Sequence, residues 1–393
     1  MANLSDYLPF EIDPANVNFT GGTIDGVVTG GTTPAAAEFT TAIVGGNEVI
    51  TTQSPQLGRR NLIINGAMQV AQRGTQVTGA TSGSFPTCDR FYMQLQSLGT
   101  WTVDQSPDAP NGFANSFKAT CTTAAPSPAA GDRFFMYQLI EAKDLQHLAF
   151  GTPDAKPLSL SFWVKSNKTG SASIDALQTD NANNMFSTTY TINLADTWEY
   201  KTISIPADTA GLIDNDTNAG LQIDFWMNAG SNSTGGGVTS GWESFDNTKR
   251  NSSNLGVGGA VSDYFAITGI QLEVGDTATP FEHRSFSEEL SQCQRYYYTV
   301  YRNGRRGGGI FTRNNNRSQG CLYLPQTMRV APTFTAVRGY GDNTWTSAVV
   351  SAYNGYQLPI TTDFVDVEVN VNIDAGSGDG GTWSFTFTFD AEL

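Results

Sequence analysis

Charged side chains are scarce in this sequence. Lys, Arg, Asp and Glu make up only 15% of its 393 residues, against about 25% in an ordinary soluble chain. Acids outnumber bases by 37 to 22, which gives a formal net charge of −15. Because binding to phosphate backbones needs a basic surface, we do not expect a general nucleic-acid-binding protein.

Long apolar segments are also missing. No run approaches the roughly 20 apolar residues that a membrane-spanning helix needs. The first residues, MANLSDYLPFEI, have neither the basic nor the apolar region of a signal peptide. We therefore expect no membrane insertion, and a chain that is made and assembled in a bacterial cytoplasm.

Cysteines are few and scattered. The four, Cys88, Cys121, Cys293 and Cys321, form no CxxC pair and no cluster with histidine. This spacing argues against a zinc or redox site. We expect buried free thiols and no cofactor.

Catalytic motifs are absent as well. The two histidines are His147, expected on the surface, and His283, expected in a structural corner next to Phe281. No GxSxG elbow, P-loop or dinucleotide fingerprint occurs. Pairs of carboxylates can always be chosen from 37 acids, so they are no evidence for glycoside cleavage. We expect a protein that is not an enzyme.

Glycine, serine, threonine, asparagine and aromatic residues fill the places of the missing charges. Such a mixture disfavours long helices and favours short strands joined by tight turns. The sequence therefore predicts an all-β protein, and its composition divides the chain into three segments.

Residues 1–58 form the first segment. It contains no Lys or Arg, six acids, and a glycine- and threonine-rich centre with few apolar residues. A segment of this kind has too little apolar surface to fold alone. We expect it to be ordered by other chains, or else to be a flexible linker.

Residues 59–287 form the second segment, long enough for one β-sandwich. Apolar residues alternate with small polar residues in LSLSFWVKS at 158–166, as in a half-buried strand. The other predicted core strands are 90–95, 134–139, 198–205, 221–227 and 265–274. A long glycine- and asparagine-rich excursion at 230–259 contains Trp242, which these polar neighbours favour as an exposed ring.

Residues 288–393 form the third segment, and its charges are segregated. Eight arginines and no acid lie between Arg295 and Arg338, and eight acids with no basic residue follow. Period-two strands at 364–371 and 383–389 predict a compact β-sandwich. The arginines either pair with the acids, within one sandwich or between subunits, or bind anionic groups of a ligand. The candidate ligand-binding residues are Arg302, Arg305, Arg306, Tyr340, Trp345, Tyr353 and Tyr356, with Trp242 in the second segment.

The junction of the second and third segments has a clear local pattern. Residues 265–274 predict a buried strand, and Thr279-Pro280-Phe281 predicts a turn. Ser285 followed by Glu288 is a capping box that predicts a short helix through Cys293.

Two stretches resemble the ends of a receptor-binding module in tail fibres of tailed bacteriophages: RRNLIINGAMQVAQRG at 59–74 and GIQLEVGDTATPFEHRS at 269–285. The first segment resembles the slender N-terminal shaft of such fibres. Between the two stretches, the order of strands resembles a jelly-roll carbohydrate-binding module. Many such modules hold a structural calcium near an acid early in the closing strand, but Ile267-Thr268-Gly269 offers none, so we predict no calcium.

The resemblance implies a homotrimeric virion protein. Residues 1–58 would intertwine and dock to the tail, baseplate or an adaptor protein, 59–287 would form the jelly roll, and 288–393 would form the distal tip. The tip would attach the virion to host polysaccharide or lipopolysaccharide. Two alternatives stay open: a tailspike that degrades polysaccharide, and a structural tail component that does not touch the host.

Overall fold

The computed structural model describes residues 59–180, 183–303, 312–314, 317–338, 345–352, 364–373 and 384–393, with two short strands near the N-terminus. Its side chains are described for residues 59–180, 183–300, 324–333 and 388–393. The chain divides into two units, Met1–Ser54 and Pro55–Leu393. In the first unit, the hairpin of β1 (Ile43–Val44) and β2 (Asn47–Glu48) is described.

The second unit is built from antiparallel strands, which confirms the all-β prediction. Its strands are β3 (Gln76–Ser84), β4 (Tyr92–Ser106), β5 (Ser116–Thr123), β6 (Arg133–Glu141), β7 (Leu158–Ser166), β8 (Gly170–Gln178), β9 (Asn184–Ile192), β10 (Glu199–Ile205), β11 (Ala219–Ala229), β12 (Glu243–Ser244), β13 (Tyr264–Val274), β14 (Tyr297–Asn303), β15 (Thr312–Asn314), β16 (Arg317–Tyr323), β17 (Thr333–Arg338), β18 (Trp345–Ala352), β19 (Phe364–Ile373) and β20 (Ser384–Asp390). The described helical segments are the 3₁₀ turns Ala142–Leu148, Ser231–Ser233 and Asn247–Lys249, and the α-helix α1 (Phe286–Gln294). None of these helices is long and apolar enough to cross a membrane.

Strands β3 to β13 form one hydrogen-bonded sheet that folds into two layers. The first layer has the order β10-β7-β13-β5-β4, and the second continues from β4 through β6, β11, β8, β9 and β12. Strand β4 belongs to both, because Tyr92–Gln96 pair with β6 and Thr100–Ser106 pair with β5. Between these two parts, Ser97 and Gly99 have positive φ values of 56° and 77°, which turn the strand from one layer into the other.

The hydrophobic core lies between the two layers. The ring of Phe162 on β7 lies 5.3 Å from Phe225 on β11 and 5.1 Å from Tyr190 on β9. Neither β11 nor β9 is bonded to β7 in the sheet, so these contacts cross from layer to layer, as in a β-sandwich. Most consecutive strands lie in different layers, with β8 and β9, and β11 and β12, as the pairs that stay in the second layer, and this connection gives a jelly roll.

The alternation predicted for residues 158–166 is confirmed in β7. Leu160, Phe162 and Val164 are fully buried in the core. Trp163 and Lys165 point to the opposite face and are half-buried. Since side chains alternate along a strand, one strand supplies both the core and the outer surface.

The two motifs that flank the jelly roll in sequence lie side by side in the structure. The amide of Leu62 donates to the carbonyl of Leu272 at 2.8 Å, and Asn61 Nδ2 donates to the carbonyl of Ile270 at 3.1 Å. The N-cap bond of the predicted capping box is also present, because Ser285 Oγ accepts a bond from the amide of Glu288 at 3.3 Å at the start of α1.

The strands that follow α1 form two further sheets, β14-β20-β17 and β15-β16-β19-β18. Strands β19 and β20 coincide with the predicted strands 364–371 and 383–389. The end of β20 is tied to the jelly roll by an ion pair between Arg90 and Glu392. The division into a jelly roll and a distal tip at residue 288 stays a prediction.

Candidate functional site

Trp242 is the candidate residue from the sequence whose side chain is described, and its surroundings differ from the expectation. Its indole Nε1 donates to the carbonyl of Pro206 at 2.6 Å. Its ring meets Phe150 edge-on at 5.7 Å and packs against the core. The ring is half-buried and anchored, because the polar excursion folds back over the end of the sandwich.

The candidates of the third segment lie largely outside the described residues. Arg302 lies in β14 and Trp345 in β18, where the backbone alone is described. Arg305, Arg306, Tyr340, Tyr353 and Tyr356 lie outside the described residues. Their part in ligand binding stays a prediction.

The outer face of the second layer carries a row of polar and aromatic side chains that runs across four strands. Tyr92 on β4 lies opposite Tyr137 on β6. Tyr137 lies opposite Asp224 on β11, and Asp224 lies opposite Asp175 on β8. Side chains in such a row are in direct cross-strand contact.

The two tyrosines form the accessible end of this row. Their ring centroids are 5.0 Å apart, with 32° between the planes, and both residues are half-buried. Phe85 meets the Tyr92 ring edge-on at 5.0 Å. A side chain at Gly83 would lie 2.6 Å from the Tyr92 hydroxyl, so the glycine lets the backbone of β3 pass close beside the ring. Strand β3 therefore forms one side wall of the face.

Amide and guanidinium groups lie beside the tyrosines. In the register of β4 and β6, Gln94 lies opposite Phe135, and Gln96 lies opposite Arg133. Nε of Arg133 is buried without a hydrogen-bond partner among the described residues. We call Tyr92, Gln94, Gln96, Arg133 and Tyr137 the tyrosine face. It presents flat rings together with donors and acceptors of hydrogen bonds.

A buried ion cluster closes the other side of this face. Arg250 Nε donates to Asp175 Oδ2 at 2.8 Å, and its NH2 group pairs with Asp224. The guanidinium lies 4.9 Å from the ring centroids of both Phe135 and Trp226. Arg250 ends the 3₁₀ turn Asn247–Lys249, so the cluster holds the excursion after β11 against the sheet.

Burial sets the protonation of the groups in the row. It raises the pKa of Asp224 well above its ordinary value; the charge of Asp175 adds to this effect, and that of Arg250 opposes it. Burial also raises the pKa of Tyr137 to about 12, with smaller contributions from Tyr92 and Asp224. The Tyr137 hydroxyl therefore stays neutral and able to donate a hydrogen bond at physiological pH.

A cavity of about 610 Å³ lies where the first motif, the 3₁₀ turn Ala142–Leu148 and α1 meet. Two arginines of its lining are bonded within the protein. Arg295 makes two bonds of 2.7 and 2.8 Å to Glu141, and Arg284 Nη1 donates to the carbonyl of Ile63. His147 also lines the cavity. Partial burial lowers the pKa of its imidazole, and the positive charge of Lys156 lowers it further. Because Arg284 and Arg295 are bonded within the protein, they indicate that the cavity lies at a structural junction between the first motif, the 3₁₀ turn and α1.

Sequence reasoning missed the tyrosine face. The signal was present in RFFMYQL at 133–139, where Phe134 and Met136 alternate with Phe135 and Tyr137. Because aromatic residues occupy both faces of this strand, its pattern reads as a continuous apolar run. Only the register with β4 and β11 shows which rings lie outside the core.

Comparisons with known proteins give structural likenesses only. No family model matches the chain, and no curated protein sequence matches it. A putative sugar-binding protein from Bacteroides thetaiotaomicron is 14% identical with a TM-score of 0.31, and the match covers 55% of this chain and 100% of that chain. The enzymatically active domain of tailspike protein 4 from bacteriophage CBA120 is 13% identical with a TM-score of 0.28, covering 55% of this chain and 21% of that chain.

A third likeness extends further along the chain. The N-terminal CBM22-1-CBM22-2 tandem domain from Paenibacillus barcinonensis Xyn10C is 8% identical with a TM-score of 0.26, and the match covers 86% of this chain and 97% of that chain. At these scores the likenesses carry no argument about function. The function proposed below depends on the residues of this chain.

Proposed function

We propose that this protein is a bacteriophage tail fibre that attaches the virion to glycan on the host surface, and that the tyrosine face contacts the sugar. The observation that carries the proposal is the pair of half-buried rings, Tyr92 and Tyr137, on the outer face of the sandwich. These rings lie away from the core, so the packing of the two layers does not require them.

The chemistry of the face suits a saccharide. The apolar CH face of a pyranose stacks on an aromatic ring, and its hydroxyls exchange hydrogen bonds with amides and phenols. Gln94 and Gln96 supply amides beside the rings. Arg133 adds a guanidinium that suits a carboxylate or phosphate substituent.

The trimer and the attachment of residues 1–58 to the tail are part of the same proposal. Individual glycan contacts are weak, and repetition of the site over several chains raises avidity by about 10²–10⁴ when the geometry allows simultaneous binding. Solution mass of the full-length chain tests this part directly. A monomeric mass would contradict the trimer.

The glycan site is tested with labelled full-length protein on a panel of bacterial strains. Envelope polysaccharide extracted from a strain that binds the protein should compete for binding. The double variant Tyr92→Ala/Tyr137→Ala should lose most of the binding, whereas Leu194→Ala, which changes an apolar side chain that is 61% exposed, should bind like the parent. Failure of the polysaccharide to compete would overturn the proposal of a glycan receptor. Unchanged binding by the double variant would remove the tyrosine face from it and favour the predicted tip residues.

A further inference from the structure

The outer face of the first layer carries a second group of aromatic rings, on the side of the sandwich opposite the tyrosine face. The ring of Tyr200 on β10 lies 5.4 Å from Trp163 on β7. Beyond Trp163, Phe113 lies 5.0 Å from Phe281 and 5.3 Å from His283. We call these five residues the aromatic strip.

Gly269 makes the strip continuous. This residue of β13 has a positive φ of 62° and lies where the pairing of β13 with β7 shifts register. A Cβ atom at position 269 would lie 2.7 Å from Cζ of Phe113 and 3.1 Å from Cδ1 of Trp163. Both rings therefore lie over the bare glycine backbone, and the strip passes from β10 across β7 and β13 without a gap.

The strip is open to solvent, most of all at its ends. Tyr200 is 44% exposed, and His283 is also exposed. Trp163, Phe113 and Phe281 are half-buried. All five lie outside the core between the layers. A contiguous exposed row of rings on a sheet face is uncommon in soluble proteins and marks a contact surface.

Hydrogen-bonding groups are fixed at the border of the strip. Lys165, on the same face of β7 as Trp163, makes bonds of 3.1 and 3.0 Å to both oxygens of Asp108. Trp198 Nε1 donates to Asp108 as well, at 3.1 Å. Burial acts to raise the pKa of Asp108, but these bonds outweigh it and hold the pKa below its ordinary value. The carboxylate stays charged and positioned next to the rings.

We propose that the aromatic strip is a second glycan-binding surface, so that one jelly roll holds saccharide on both of its outer faces. The inference rests on the proposed glycan function. The strip crosses three neighbouring strands, which lie about 4.8 Å apart, and is long enough to stack several pyranose rings in a row. Neighbouring rings of the strip are inclined to one another by 39° to 72°, so they offer separate ring faces to the CH faces of successive sugars. Lys165 and Trp198 are both bonded to Asp108 and fix the border of the strip, and the remaining hydrogen-bonding capacity of Lys165 and Asp108 suits sugar hydroxyls.

The test is affinity electrophoresis of the full-length protein in gels that contain the competing envelope polysaccharide. Four proteins are compared: the parent, Tyr92→Ala/Tyr137→Ala, Tyr200→Ala/His283→Ala, and the combination of all four changes. Tyr200 and His283 are exposed, so their replacement leaves the core intact. Val261→Ala, at a residue that is 61% exposed, is the control. Each double variant lacks one of two linked surfaces, so its apparent affinity for the polysaccharide in the gel should fall by about tenfold or more. The combination of all four changes should abolish retardation.

Each result has a definite meaning for the two proposals. Tyr200→Ala/His283→Ala is compared with the parent, and the combination of four changes with Tyr92→Ala/Tyr137→Ala. If retardation is the same within both comparisons, the strip proposal is wrong while the glycan function stands. If the parent is not retarded, both proposals fail. If the strip variant changes the sedimentation of the chain while retardation is unchanged, the strip is an interface between copies of the chain, and the second glycan surface is overturned.

Discussion

Asn61 and Leu272 are 211 residues apart in the sequence and are joined directly: the Leu272 amide donates to Asn61 Oδ1 at 3.1 Å. The same oxygen accepts a bond from the Ile63 amide at 3.0 Å, and Nδ2 of Asn61 donates to Ile270. One buried side chain thus satisfies backbone groups at both ends of the jelly roll.

Replacement of this side chain should loosen the closure of the jelly roll. Asn61→Ala leaves two buried amides and one carbonyl without partners, at about 1–3 kcal/mol for each group that stays unsatisfied. We expect a loss of roughly 3 kcal/mol in the free energy of unfolding, measured by urea denaturation of the full chain. Asn111→Ala, at an exposed position, is the control. A loss below about 1 kcal/mol would show that water or local rearrangement replaces these bonds.

Glu392 should hold the last residues of the chain against the jelly roll. It pairs with Arg90, which is buried and whose guanidinium carbon lies 3.4 Å from the ring centroid of Tyr296. Glu392→Gln leaves the buried Arg90 without a full counter-charge, which costs about 1–3 kcal/mol. Hydrogen exchange of β14 and β20 should become faster, whereas Asp154→Asn, at an exposed acid, should not change it. Unchanged exchange would mean that backbone pairing alone holds these strands.

Arg250 should be essential because it is the counter-charge of two buried carboxylates. Arg250→Met leaves Asp175 and Asp224 without their cationic partner. Removal of one partner of a buried ion pair costs about 3–5 kcal/mol in the free energy of unfolding. Adding Asp224→Asn should recover part of this loss, because it removes one of the two adjacent buried acids. The adjacent Lys249→Met breaks a pair with Glu243 at the surface, where solvent screens the charges, and should destabilise the chain far less. Urea denaturation measures all three, and equal losses at positions 249 and 250 would contradict the assignment.

Asp89 should make stability fall as pH rises from about 4 to about 6. Burial raises its pKa to about 6, against the bonds from Gln72 and the charge of Arg73. In this window the folded chain keeps a proton that the unfolded chain has lost, so the free energy of unfolding decreases with pH. At about 1.4 kcal/mol per pKa unit, the effect is roughly 1–3 kcal/mol.

The difference between the parent and Asp89→Asn isolates this effect, because other titrating groups are shared. Glu199 acts in the opposite direction: slight burial raises its pKa, but bonds from Lys201 and the Leu194 amide lower it to about 2 from an ordinary value of 4.5. Its stabilising contribution is lost as the pH falls from about 4.5 to about 2, equally in the parent and in Asp89→Asn, so it cancels in the difference. The stability difference measured at pH 4 and pH 6.5 should shift by the amount expected for Asp89. A constant difference would show that Asp89 is ionised in the folded protein throughout.

The sequence determined the class of the fold and much of its local structure. Period-two alternation located strands β7, β10, β11, β13, β19 and β20, because a strand that packs on one side must alternate. The capping box fixed the start of α1 at Ser285, since this signal is local. The expectation of buried free thiols is confirmed for Cys88, Cys121 and Cys293. In the same way, the low content of charged residues and the absence of a CxxC pair are properties of the chain that folding does not change.

Tertiary structure alone decided which aromatic rings face a ligand. Trp242 stands among polar neighbours in the sequence, yet its indole is anchored on Pro206 and the core. Tyr92 and Tyr137, in apolar surroundings, lie on the outside because β4 pairs with β6 in that register. Strand pairing brings together residues that are far apart, and a shift of one residue would exchange the two faces. Composition can supply the rings of a binding surface, but the pairing of strands places them.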